Sequence, residues 1–155
     1  MYQDLVAVLG KHIDSKEFQA MLQKHFPDFK KFDKNKEYKD KKTKVVLRID
    51  CLTAHDDTAK TSEDPKDYQY FIAFFFGKDE SEMPFGITSK DDEATIIQKA
   101  GMPTHHNKKM DGGIFGNVND LHYHIDNYKM LVSLDPETGK QYNIGINLRL
   151  KGMKF

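Results

Sequence analysis

Seven histidines are the first groups in this chain whose type and spacing suggest chemistry. Four of them cluster, as the adjacent pair His105-His106 and the alternating pair His122 and His124. In a strand, residues i and i+2 share one face about 6.5 to 7 Å apart, close enough for two imidazoles to hold one metal ion. A zinc or nickel site on His122 and His124, completed by His105, His106 or Asp126, is one reading. The other is two exposed histidines on the wet face of a half-buried strand, and no HExxH or HxxxH spacing adds to the metal. The lone Cys51 excludes an internal disulfide and a cysteine-based zinc site, and strand alternation points it toward the core. There is no GxSxG, P-loop or dinucleotide fingerprint, and Gly112-Gly113 beside Gly116-Asn117 reads as a flexible turn. Carboxylate pairs such as Asp56-Asp57, Glu63-Asp64, Asp79-Glu80 and Asp91-Asp92 sit in polar stretches and read as solvated loops. We expect no catalytic residue and no cofactor.

The elements that must position these groups follow from periodicity. A polar cap with a carboxylate three residues on, Asp14-Ser15 with Glu17 and Thr88-Ser89 with Asp92, marks two helix starts. Phe18, Met21, Leu22 and His25 then recur at helical spacing as far as Phe26-Pro27, and Ala94, Ile97 and Ala100 as far as Gly101-Met-Pro103. Val45, Leu47 and Ile49 alternate with Val46, Arg48 and Asp50, just as Leu121, Tyr123 and Ile125 alternate with His122, His124 and Asp126; the first set of each should face the core. Tyr68 to Phe76 reads as a strand from which Phe75 or Phe71 can point outward, and Met130 to Leu134 with Tyr142 to Leu150 reads as a hairpin around Asp135-Pro-Glu-Thr-Gly139. Two polar stretches, 55–67 and the lysine-rich Lys30 to Lys44, read as long exposed loops.

Residues 9–50 align without a gap on 85–126, with Gly10 on Gly86, Glu17 on Glu93, Pro27 on Pro103 and Ile49-Asp50 on Ile125-Asp126. The expected fold is α+β, a single domain over 1–155 built from two tandem helix-plus-antiparallel-meander repeats, about 1–78 and 79–155. They would form one sheet with helices on one face.

Composition narrows the function. Twenty-four basic and twenty-four acidic residues give a formal net charge of zero, which removes the electrostatic case for a nucleic-acid binder. No apolar run approaches the roughly 20 residues a membrane span needs. The N-terminus lacks basic residues ahead of its short apolar run, so the cytoplasm is the expected location. Neutrality hides two poles, since residues 55–93 hold eleven acids against four lysines and residues 28–48 hold nine basic groups against four acids. These are either two solvated loops or a docking surface that steers a charged partner.

The phrase Met83-Pro-Phe-Gly-Ile87, the helix after it, Gly101-Met-Pro103 and the strand and hairpin from Leu121 to Leu148 resemble the tandem helix-plus-meander group of the β-lactamase inhibitory protein. Related single units occur in bacterial envelope lipoproteins, and much of the group is similar to immunity proteins of toxins delivered between bacterial cells. The first half departs from that pattern with His25-Phe26-Pro27 in place of Gly-x-Pro, and the chain has no tryptophan. The resemblance implies a cytoplasmic, non-enzymatic protein that binds and neutralises a cognate toxin. Its acidic residues Asp56, Asp57, Glu63, Asp64, Asp67, Asp79, Glu80 and Glu82 would meet a basic partner such as a nuclease, with Phe75, Phe115 and Tyr128 as aromatic anchors. A histidine-based metalloprotein and an envelope or assembly protein are the alternatives.

Overall fold

The computed structural model describes residues 1–51, 69–76, 83–111 and 113–149. Local signals account for its helices. After α1 (Tyr2–Ala7), Ser15 caps α2 (Lys16–His25) by accepting a hydrogen bond from the Phe18 amide at 3.2 Å. Phe18, Met21 and Leu22 are the buried residues of α2, and Phe26 and Pro27 end it. Asp4 ties α1 to α2, and the hydrogen bonds it accepts from Lys24 and His25 hold its carboxyl down at about 2.

The helix α3 (Glu93–Ala100) is capped three residues later than the Ser89 start expected from sequence. Asp92, in extended backbone, accepts from the Thr95 amide at 2.9 Å, while Asp91 closes the preceding turn on the Thr88 amide. Of two adjacent carboxylates one is spent on the turn, which leaves the other as the cap. Gly101 ends α3 with φ of 83°, a left-handed angle that only glycine adopts without strain.

Seven strands follow in chain order: β1 (Glu37–Lys39), β2 (Val46–Asp50), β3 (Tyr70–Phe76), β4 (His105–Asp111), β5 (Asn117–Ile125), β6 (Tyr128–Leu134) and β7 (Gln141–Leu148). They form one antiparallel sheet in the order β1-β2-β3-β7-β6-β5-β4. The fold class is α+β. The lysine-rich segment is not the plain loop expected from sequence. Asp33 accepts from the Asn35 and Glu37 amides, and the buried Asp40 accepts from the Tyr38 hydroxyl and from the Thr43 amide and hydroxyl. Two carboxylate-nucleated turns thus set β1 against β2. Burial alone would raise the Asp40 carboxyl, but those hydrogen bonds outweigh it and hold it low.

Register places Leu47, Phe74, Ile146, Met130 and Tyr123 in one row across five strands, all on one face. Every member is at most 5 % exposed. They share one hydrophobic cluster with Leu5, Phe18, Phe26 and Ile96 from the helical segments. Phe18 lies 5.3 Å from Phe71, which stacks on Phe74, and the Tyr123 hydroxyl donates to the Gly101 carbonyl at the end of α3. Val45, Leu47, Ile49, Leu121, Tyr123 and Cys51 are buried as alternation requires. No helix among the described residues is long and apolar enough to cross a membrane.

Candidate functional site

The same registers that assemble the core put a different set of side chains on the second face of the sheet. One row runs Val46, Phe75, Gly145, Leu131, His122 and His105, and the next runs Arg48, Ala73, Asn147, Lys129 and His124. Ala73, Gly145 and His122 are buried; the others are half-buried. Alternation along β7 carries Arg149 to the same face as Asn147, next to the Lys129 and His124 end of the row.

The two histidines expected to lie together do so, joined by a third. The His105 ring centroid is 5.1 Å from that of His124 and 6.5 Å from that of His122. His122 is not the exposed group that one of its two sequence readings made it. It is 7 % exposed, because β4 and β6 flank β5 and Asn107 reaches its Nε2 at 3.3 Å. His106 pairs with Leu121, hence faces the core side, and its Nε2 stands 2.7 Å from Glu93 at the start of α3. Asp126 is in the tight β5–β6 turn with φ of 50°. No group of three or more His, Cys, Asp or Glu side chains with metal-holding geometry occurs among the described residues.

Like charges converge here. Burial, then Lys129, push His122 below the usual imidazole range, and His105 and His124 add to the push while Asp120 opposes it. His124 is lowered by burial, Arg149, His105 and Lys129. Burial and Arg149 lower Lys129 in turn. Among the described residues Asp120, which accepts from the Ser133 hydroxyl at 2.7 Å, is the carboxylate that acts on the group. The ion pairs among the described residues join His12 to Asp14, Asp4 to Lys24 and His25, Asp91 to Lys99 and Glu93 to His106; none involves Lys129 or Arg149.

An imidazole held below its ordinary range only in the fold leaves the unfolded chain binding more protons as pH falls. Stability should therefore be intact above about pH 6.5 and decline below it. Urea midpoints compared near neutrality and near pH 5.5 should show this fall, and His122→Gln should flatten it. An unchanged slope in the variant would contradict the assignment to His122.

No family model matches the chain, and neither does any characterised protein or solved structure compared with it.

The other expected contact residues distribute unevenly. Asp56, Asp57, Glu63, Asp64, Asp67, Asp79, Glu80 and Glu82 lie outside the described residues. So does the side chain of Phe115, whose backbone forms a 3-10 turn (Gly113–Phe115). Tyr128 is half-buried and packs against the core cluster. Phe71 is fully buried, whereas Phe75 points to the second face. Lys129, Leu131 and Arg149 were not among the expected site residues, although their odd-numbered alternation with Met130, Val132 and Leu148 is a signal that places them there.

Proposed function

We propose that this chain is a cytoplasmic, non-enzymatic binding protein that neutralises a cognate bacterial toxin by protein–protein contact. The observation that carries the reading is the second face of the sheet, where the apolar Val46, Phe75 and Leu131 continue in one row into the histidines and stand beside Lys129 and Arg149. An apolar strip edged by charge is the composition of a protein-docking patch. The chain order supports the tandem arrangement: α2 precedes the meander β1-β2-β3, α3 precedes β4-β5-β6-β7, and β7 joins the two in one sheet. In this proposal both helices back the same face of the sheet and leave the other to the partner. A tight complex of this kind buries about 1,600 Å².

The test is a titration of the purified chain with the C-terminal domain of the secreted protein encoded by the adjacent reading frame. A one-to-one complex with loss of that domain's activity is expected. Absence of a complex at micromolar concentration, or a complex that leaves the activity intact, would overturn the reading.

A further inference from the structure

We propose that the patch formed by Lys129, Arg149, His124, His122 and His105 receives a carboxylate-bearing, acidic polypeptide segment of the partner, and that His122 and His124 take up protons as it docks. The inference rests on the binding reading above and names the chemistry of its contact. Four strands contribute: His105 from β4, His122 and His124 from β5, Lys129 from β6, and Arg149 just past β7. Lys129 and His124 are direct cross-strand partners, so their Cβ atoms stand about 5 Å apart. Among the described residues Lys129 and Arg149 face one carboxylate, Asp120, and protonation of His122 or His124 adds to the positive charge.

Arg149 Nε and His124 Nε2 in the patch are buried without a hydrogen-bond partner among the described residues. Arg149 Nε is always a donor, and a buried donor left without a partner costs on the order of 1–3 kcal/mol. Arg149 offers an incoming carboxylate oxygen a planar fork and Lys129 a point charge. Among the described residues the charged groups acting on His122 and His124 include Asp120, Lys129, Arg149 and His105, and the cations among them repel one another. An anion at their centre offsets that positive balance and favours the protonated imidazoles. Lys129 and Arg149 oppose a divalent metal on the three histidines. Nucleic acid would call for a longer array of Lys and Arg, whereas this patch abuts Leu131 and Phe75, a border that suits a polypeptide.

The experiment titrates the full chain with a short polyglutamate peptide while the histidine ring resonances are followed by NMR. Binding should shift His122 and His124, raise their titration midpoints, and be about tenfold weaker near pH 8 than near pH 6, as expected when proton uptake accompanies binding. Lys129→Gln and Arg149→Gln should abolish the shifts, and Lys129→Arg should retain them, which separates loss of charge from loss of fold. Unmoved ring resonances, pH-independent affinity, or equal binding by Lys129→Gln with an unchanged melting temperature would overturn the proposal. Tighter binding of duplex DNA than of the peptide, or saturation of the three rings by stoichiometric zinc, would overturn it in favour of those ligands. A bound peptide with no toxin complex would sink the toxin reading alone; a toxin complex insensitive to Lys129→Gln would sink only the acidic contact.

Discussion

Phe74→Ala should remove about 3–5 kcal/mol of folding free energy. Phe74 is fully buried at the middle of the core row, paired with Leu47 on one side and Ile146 on the other. Its ring stacks on Phe71, whose centroid is 6.0 Å away, and meets Phe76 edge-on at 5.5 Å. Phe71 in turn carries Phe18 of α2, so the truncated side chain leaves a void where helix meets sheet. Because domains of this size are stable by only about 5–15 kcal/mol, the variant should unfold at a much lower urea concentration. A midpoint within experimental error of wild type would show that β3 does not anchor α2.

Gly145→Ala should cost about 1–3 kcal/mol and displace Phe75. The Phe75 ring lies across Gly145, its direct partner in the neighbouring strand. A Cβ at position 145 would stand 2.7 Å from Phe75 Cε1 and 3.4 Å from the Phe74 carbonyl oxygen. The ring has to move because the backbone oxygen, fixed in the sheet, does not. A double-mutant cycle with Phe75→Leu isolates the contact, and the two substitutions should be less destabilising together than their separate effects sum to. Strict additivity would mean that Phe75 does not lie over Gly145. The cycle bears on function too, since Phe75 borders the histidine and lysine patch and its displacement should weaken partner binding.

Sequence reached the parts of this molecule that are specified locally. The start of α2 at Ser15, its end before Pro27, the Gly101 stop and the alternation of β2, β5 and β7 are written in neighbouring residues. The cap of α3 was misplaced because Ser89 and Asp92 both offer a side-chain oxygen, and only the turn closed by Asp91 decides between them. β1 has three residues and no alternation to read; it is held by β2 and by the turns at Asp33 and Asp40. β4 is polar, lies at the sheet edge and carries a register shift between Asn107 and Met110, which breaks any period of two. The site was half legible. His122 and His124 stand out by type, but their neighbours depend on register. The turn at Asp126-Asn127 fixes that register, placing Tyr128 opposite Ile125 and Lys129 opposite His124. Arg149 joins only through the pairing of β6 with β7.

The second face of the sheet as the neutralising surface is tested most directly by growth of cells producing the toxin domain together with one of three chains: wild type, Leu131→Glu on that face, or Gln23→Lys on the exposed side of α2. The account predicts survival with wild type and Gln23→Lys, and death with Leu131→Glu despite an unchanged melting temperature. Survival with a folded Leu131→Glu chain would contradict it.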